Sequence, residues 1–231
     1  MKIVVLNYSG NVGKSTISQA LLAPRIPAPV YAVETINSDG TDSQGIKGRE
    51  FSQLHEELLA ESAAVVDVGS SNVESALQEM RKYPGWADDY DYFVVPVTPA
   101  KKQQRDTLAT LDELADLGVP ADKIRVVLNM VEPGDNAETV FAPIFEHAKT
   151  GRFTLNSIAV IGINEAYARA TAAGENLLDL ANDRTDYKAI IAKSANQDEK
   201  RAAAAKLSLQ RLAVGVKFEL DRVFAALLAP V

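Results

Sequence analysis

The residues with the clearest capacity for chemistry lie in one short stretch near the start of the chain. Residues 9–16 read SGNVGKST, after an apolar run and before a helical pattern. Backbone N–H groups are free at a helix N-terminus and attract anions. Gly10 and Gly13 let the backbone curl around phosphate groups, Lys14 would reach the terminal phosphates, and Ser15 would hold Mg²⁺ through its hydroxyl. The stretch therefore predicts a phosphate-binding loop.

The loop departs from the strict phosphate-loop pattern at one position. That pattern places a glycine five residues before Gly13, and Tyr8 stands there instead. An ordinary glycine-containing turn is the alternative. The apolar run before the loop and the sequence G-K-S-T after it favour phosphate binding.

Alternating patterns of strand and helix surround this loop. Apolar, β-branched runs predict buried strands at 3–6, 30–33, 63–66, 92–97, 124–128 and 157–161. Helical patterns fall at 14–22, 47–60, 71–83, 100–117, 163–172, 186–195 and 198–228. The order predicts a three-layer α/β domain with a mostly parallel sheet, followed by a C-terminal helical extension.

Composition excludes several classes of function. The 231 residues include no cysteine and only two histidines, which rules out thiol catalysis, cysteine metal sites and a histidine-rich metal centre. No apolar run has the length of a membrane span, and the first residues lack a signal-peptide pattern, so we expect a cytoplasmic protein. The net charge of −7 is uneven: eight basic and four acidic residues follow from Lys188 onward, which indicates a basic C-terminal surface.

The loop resembles the deviant Walker A motif of ParA/MinD-type ATPases, K-G-G-x-G-K-[ST]. The resemblance covers about residues 1–180, and we place a nucleotide-binding domain at 1–185 with a packed helical extension at 186–231. Four weaker elements follow in the family's order: Ala64-Val65-Val66-Asp67, Val94 to Pro99, Val126-Val127-Leu128-Asn129, and Ile163-Asn164-Glu165-Ala166 with Gly174. StbB-like plasmid-stability proteins are the branch that the sequence resembles most.

The resemblance implies binding of ATP or ADP with Mg²⁺ and a nucleotide-dependent homodimer. It assigns the nucleotide to Gly10, Asn11, Val12, Gly13, Lys14, Ser15, Thr16 and Asn129, with Asn129 beside the adenine. Ser15 would coordinate Mg²⁺, and Asp67 would support the metal. We therefore expect an ATP-dependent switch in plasmid stability, partition or DNA positioning.

The sequence departs from the family in ways that bear on hydrolysis. Ser9 replaces the signature lysine, which in relatives reaches the partner's phosphates across the dimer, and Asn11 replaces a loop glycine. After the second strand, relatives carry D-x-D, whereas here Glu34-Thr35-Ile36 stands, and Asp39 and Asp42 come later, in the polar segment 36–48. Because a charge against the transferring phosphate carries much of the rate, we expect weak ATP hydrolysis. Lys14 and Asp39 are the predicted catalytic residues, and a solvated turn is the alternative for Asp39.

Two further site residues have simpler structural alternatives. Asp67 ends a buried strand, where it would support Mg²⁺, and it would otherwise cap the next helix. Asn129 also ends a strand, and a turn-forming role is its alternative.

Basic residues suggest two surfaces for partners. Thr98-Pro99 predicts a helix start with Thr98 as N-cap, and Lys101, Lys102 and Arg105 follow, where positive charge opposes the helix dipole. They would meet a partner subunit, DNA or a nucleotide in trans, or they are solvated lysines and arginine. The last helix carries Lys200, Arg201, Lys206, Arg211, Lys217 and Arg222. A protein or DNA partner, a MinD-like membrane anchor, which we favour least, and a plain covering helix are its alternatives.

Two rival functions share the predicted fold. The loss of the signature lysine at Ser9 would suit a nucleotide-dependent scaffold that does not hydrolyse ATP. An ATP-dependent ligase or kinase for a small molecule is the other rival. Such an enzyme needs a second cluster of convergent polar residues, and the sequence shows none.

Overall fold

The computed structural model describes residues 1–33 and 51–229. These residues form a six-stranded sheet in which every described strand pairing is parallel. The strands are β1 (Lys2–Val5), β2 (Val30–Val33), β3 (Ala64–Val68), β4 (Tyr92–Val97), β5 (Ile124–Val131) and β6 (Val160–Gly162). Each lies at or beside a predicted apolar run, so the predicted α/β class is confirmed.

The order of the strands brings the ends of distant segments together. Across the sheet the order is β2-β3-β1-β4-β5-β6, so β1 lies between β3 and β4. Val5 is in register with Asp67 on one side and with Val94 on the other. Because all strands are parallel, the loop after β1 lies at the same sheet edge as the segments after β3, β4 and β5. Ligands of open α/β sheets usually bind at the carboxyl ends of the strands, at the point where the strand order changes direction.

The central strands are covered on both faces. Ile3, Val4 and Val5 are consecutive and have no exposed surface. Successive side chains of a strand point to opposite faces, so full burial of all three requires a layer on each face. Burial on both faces explains why the sequence of these strands is a continuous apolar run.

Ten helices connect and follow the strands within the described ranges. They are α1 (Lys14–Thr16), α2 (Phe51–Ala60), α3 (Val73–Met80), α4 (Lys101–Asp116), α5 (Ala137–Val140), α6 (Ala142–Ala148), α7 (Glu165–Ala172), α8 (Leu177–Asn182), α9 (Tyr187–Lys193) and α10 (Gln197–Leu227). The first continues as a π-helical segment, Ile17–Leu22, and short 3₁₀ turns occupy Ser70–Asn72 and Trp86–Asp89. The predicted C-terminal helix is confirmed over 31 residues.

The chain divides into two compact units. The first comprises Met1–Gly162 and the chain from Val223 onward, and it contains the sheet. The second comprises Ile163–Arg222, and its core includes Ala170, Leu180, Leu209 and Ala213. The predicted functional boundary at residue 185 stays a prediction.

A search of the described helices for a membrane span gave a negative result. Within residues 1–33 and 51–229, no helix combines the length and the apolar character needed to cross a bilayer.

Candidate functional site

The predicted phosphate loop connects β1 to α1 and has an irregular backbone. Asn11 and Gly13 both have positive φ angles, 58° and 86°, and Gly13 is the N-cap of α1. Glycine adopts this left-handed region without the Cβ strain that other residues meet there. The loop therefore turns back on itself just before the helix begins.

Side chains outside the loop bind its backbone carbonyl groups. Gln103 of α4 donates from Nε2 to the Gly10 oxygen at 3.0 Å, and Asn129 of β5 donates from Nδ2 to the Val12 oxygen at 2.9 Å. In a planar trans peptide the N–H group points away from the carbonyl group. The N–H groups of Asn11 and Gly13 therefore point away from Gln103 and Asn129.

Several backbone N–H groups of the loop have no hydrogen-bond partner within the described part of the chain. Among the described residues, the N–H groups of Gly10, Asn11, Val12 and Gly13 make no hydrogen bond. The carbonyl groups of Gly10 and Val12 are engaged by the side chains already named. Successive N–H groups left open in this way form an anion-binding concavity.

A cavity of about 320 Å³ lies against this loop. Its lining consists of Gly10, Asn11, Gly13, Lys14, Ser15, Thr16, Asp67, Gly69 and Ser70. The structure thus brings seven of the nine predicted nucleotide and metal residues together. Val12 and Asn129 are both buried outside the cavity lining, and the Asn129 side chain donates to the Val12 carbonyl.

Lys14 folds back over the loop that precedes it. Its Nζ donates to the carbonyl oxygens of Ser9 at 3.0 Å and Asn7 at 3.3 Å, and only 9% of the residue is exposed. The Lys14 carbonyl accepts a hydrogen bond from the Ser18 hydroxyl at 3.0 Å. The ammonium group therefore lies beside the cavity and within reach of an anion held by the loop.

Ser15 and Asp67 supply the oxygen atoms that Mg²⁺ prefers. Ser15 is exposed in the first turn of α1, and Asp67 is buried near the end of β3. Both line the same cavity. Mg²⁺ is usually held by one or two protein oxygens together with phosphates and water, so this donor set fits a magnesium–nucleotide complex. Among the described residues, no group of three or more His, Cys, Asp or Glu side chains forms a metal site of protein ligands alone.

Ser9 is enclosed in the protein. Only 5% of the residue is exposed, its N–H donates to Asn7 Oδ1 at 2.7 Å, and its carbonyl accepts from Lys14. A short side chain in this setting brings no charge to the cavity. The weak hydrolysis inferred from Ser9 stays a prediction.

Polar residues of α4 support the loop, and sequence analysis missed them. Asn7 is fully buried and donates to Thr107 Oγ1 at 2.7 Å, while the Tyr8 N–H donates to Thr110 Oγ1 at 3.2 Å. Together with Gln103, these threonines occupy one side of α4 at steps of four and three. A polar stripe at helical spacing beside the apolar stripe was the available signal.

The predicted N-cap of α4 is wrong. The helix begins at Lys101 with Ala100 as its N-cap, and Thr98 lies two residues earlier. The Thr98 hydroxyl donates to the Gln103 side chain instead. Thr98 therefore orients the glutamine that binds the phosphate loop.

Two of the basic residues that follow, Lys101 and Arg105, line a separate groove of about 480 Å³ between α4 and the α5–α6 region. Lys101 and Arg105 are exposed at its edge, and its apolar surface includes Leu108, Val140 and Pro143. The roles of Lys101, Lys102 and Arg105 stay predictions. Asp39 and the segment 36–48 lie outside the described residues.

Ion pairs neutralise half of the cations in the C-terminal helix. Lys206 pairs with Glu175, Lys217 with Asp221 at 2.7 Å, and Arg201 with Asp198 at 3.8 Å. Within the described part of the chain, Lys200, Arg211 and Arg222 have no ion pair. A negatively charged partner of this helix would therefore contact mainly these three residues.

The sheet order, the loop and the cavity define an α/β protein with the predicted phosphate loop after its first strand. Solved structures share this fold. McdA of Cyanothece matches with a TM-score of 0.52 and 13% identity over 90% of this chain and 98% of that chain. A complex of a McdA variant with ATP, also from Cyanothece, matches with a TM-score of 0.51 and 14% identity over 95% and 96%.

The MinC:MinD cell division protein complex of Aquifex aeolicus matches with a TM-score of 0.50 and 14% identity over 93% of this chain and 96% of that chain. At these identities the comparisons establish the fold. No protein-family model and no curated protein matches the sequence.

Proposed function

We propose that this chain binds ATP and ADP with Mg²⁺ and acts as a nucleotide-dependent dimerisation switch in plasmid stability, partition or DNA positioning. The observation that carries the binding proposal is the loop. Side chains outside it bind the carbonyl groups of Gly10 and Val12. Gly10, Asn11 and Gly13 line a cavity, and their N–H groups make no hydrogen bond to the described residues. Among proteins with this fold, the McdA variant was solved with ATP.

Each residue of the cavity has a separate task in this proposal. The open N–H groups hold the phosphate oxygens, and Lys14 neutralises the charge of the terminal phosphates. Ser15 binds Mg²⁺ directly, and Asp67 supports the metal through water. Mg²⁺, when bound, offsets the negative charge of the phosphates.

Thermal unfolding in the presence of nucleotide tests the binding proposal. ATP should raise the unfolding temperature of the protein, and Mg²⁺ should increase the shift, because a ligand stabilises the state that binds it. Lys14→Ala and Ser15→Ala should lose the shift, whereas Lys149→Ala, which alters an exposed surface pair, should keep it. Full shifts in both loop variants would place the nucleotide elsewhere.

The dimerisation switch is supported by the fold that this chain shares with MinD and McdA. Sedimentation without nucleotide, with ADP, and with a non-hydrolysable ATP analogue tests it. We expect a dimer only with the ATP analogue and Mg²⁺. A single oligomeric state under all three conditions would refute the switch.

We propose weak intrinsic hydrolysis, with Lys14 and Asp39 as the catalytic residues. Ser9 is buried and uncharged, so it cannot place a positive charge against the transferring phosphate. Turnover at saturating Mg-ATP should be slow for the protein alone. Fast turnover without a partner would contradict this assignment, and no turnover with any partner would favour the scaffold.

A partner is proposed to bind the C-terminal helix, with protein or DNA favoured over a membrane. Replacing Lys200, Arg211 and Arg222 by glutamate should remove salt-sensitive DNA binding and keep nucleotide affinity. Absence of DNA binding by the unchanged protein at low salt would leave a protein partner or a covering helix.

We also propose a preference for adenine over guanine nucleotides. Residues 129–132 read NMVE, which is not the N-K-x-D pattern that recognises guanine. Equal or tighter binding of GTP in a competition titration would refute this preference.

A further inference from the structure

The Asn129 side chain reaches the phosphate loop from the strand behind it. Its Nδ2 atom donates to the Val12 carbonyl at 2.9 Å, although 117 residues separate the two in the sequence. The residue is 6% exposed, and the lining of the phosphate cavity includes Gly13 but not Asn129. Asn129 therefore contacts the loop outside the lining of the cavity.

Gly13 and Asn129 fit each other sterically. A Cβ atom built on Gly13 would lie 2.3 Å from Asn129 Nδ2, which is far inside van der Waals contact. The missing side chain of Gly13 thus leaves the space that the amide occupies. The positive φ of 86° at Gly13 further favours glycine at this position.

A local irregularity of β5 accompanies this contact. Leu128 pairs with Val160 and Val131 with Gly162, and the register shifts between them, at Asn129 and Met130. Met130 has a φ of 58°, a left-handed conformation that is strained for a residue with a side chain, and it is 39% exposed. Strained backbone persists where the surrounding structure requires it. Here it lies next to the residue that turns toward the phosphate loop.

We propose that Asn129 is a positioning residue for phosphate binding. By holding the Val12 carbonyl, it turns the N–H group of the same peptide, that of Gly13, toward the cavity. The proposal rests on the proposed nucleotide function and deepens it. It differs from the adenine contact that the family resemblance implies, because it predicts an effect on any phosphate chain, with or without a base.

Two ligands, one with a base and one without, distinguish a positioning role of Asn129 from a contact with adenine. The affinities of the protein for Mg-ATP and for Mg-tripolyphosphate, which has no base, are measured by calorimetry. Asn129→Ala and the near-isosteric Asn129→Leu should weaken the binding of both ligands by the same factor. The expected factor is about threefold to tenfold, which is the usual effect of one lost hydrogen bond. The preference for ATP over GTP should not change.

Asn156 offers a matched control. Its Nδ2 donates to the Ala226 carbonyl at 2.9 Å, so it makes the same kind of hydrogen bond away from the loop. Asn156→Ala should bind both ligands like the unchanged protein. Weaker ATP binding by the Asn129 variants with unchanged tripolyphosphate binding would overturn the positioning role and support adenine contact.

The ligand-free protein gives a second readout. Gly13→Ala should cost less unfolding free energy in the Asn129→Ala background than in the unchanged protein, because the space for the new methyl group has been vacated. Additive costs would overturn the proposed contact. If the unchanged protein binds neither ligand, the proposed function fails, and this coupling alone decides whether Asn129 packs against the loop.

Discussion

Asn7 is the residue whose replacement tests the support of the phosphate loop most severely. It is fully buried, and its Nδ2 donates to the Pro96 carbonyl at 2.8 Å and to Thr107 Oγ1 at 2.7 Å. Its Oδ1 accepts the Ser9 N–H at 2.7 Å. The side chain thus joins β4, α4 and the loop. Asn7→Ala removes all three hydrogen bonds at once.

The expected cost follows from the partners that lose their hydrogen bonds. A buried polar group left without a partner costs about 1–3 kcal/mol. Three groups lose a partner, and one of them, the Thr107 hydroxyl, keeps the hydrogen bond that it donates to the Gln103 carbonyl at 2.7 Å, so the total loss is about 3–5 kcal/mol. Stability of a folded domain is about 5–15 kcal/mol, so the variant should remain folded but unfold about 6–20 °C lower, at about 2–4 °C per kcal/mol for a chain of this size.

Urea unfolding of the variant and of a control measures this cost. Asn136→Ala is the control, because Asn136 is an exposed N-cap of α5 that accepts the Thr139 N–H at 3.0 Å. Loss of such a cap costs about 1 kcal/mol. If Asn7→Ala loses no more than Asn136→Ala, the three hydrogen bonds do not hold the loop and the reasoning is refuted.

Further predictions concern the other contacts. Gln103→Leu should weaken ATP binding about threefold to tenfold in a calorimetric titration, because the Gly10 carbonyl loses its donor. The control Gln78→Leu, at an exposed position of α3, should leave ATP binding unchanged. Equal affinities would show that Gln103 is dispensable. Burial, and then the hydrogen bond to Glu113, raise the pKa of the Tyr8 hydroxyl above its ordinary value of about 10. The contribution of the Tyr8 hydroxyl to the free energy of unfolding should therefore be fully present below about pH 10 and decrease above it. The reason is that the unfolded chain releases this proton at a lower pH than the folded protein. From about pH 9 to about pH 11, the unchanged protein should lose more stability to urea than Tyr8→Phe does, and equal losses would contradict the shift.

The fold was predictable because its strands are buried on both faces. Runs such as YFVVPV at 92–97 carry that burial in the sequence itself, and strand and helix alternate in the order that a parallel sheet requires. The turn between β1 and α1 was predictable for a related reason. Gly13 has a φ of 86° and is the N-cap of α1, and a short motif is enough to encode such local backbone geometry.

The supports of the loop were not predictable, because they join residues far apart in the chain. Asn7 and Thr107 are 100 residues apart, and only the adjacency of β1 and β4 brings α4 to the loop. Thr98 matched the local signal for an N-cap, but its hydroxyl bonds to Gln103 and the helix begins later. The left-handed backbone of Met130 also has no local signal, because methionine does not favour that conformation.

Calorimetric titration of Mg-ATP tests the central claim most directly. The account predicts one ATP bound per chain, with weaker binding when Mg²⁺ is removed and no detectable binding by Lys14→Ala. Lys149→Ala, a lysine exposed far from the loop in sequence, should bind like the unchanged protein. Binding of ATP by Lys14→Ala with unchanged affinity, or no binding by the unchanged protein, would contradict the account.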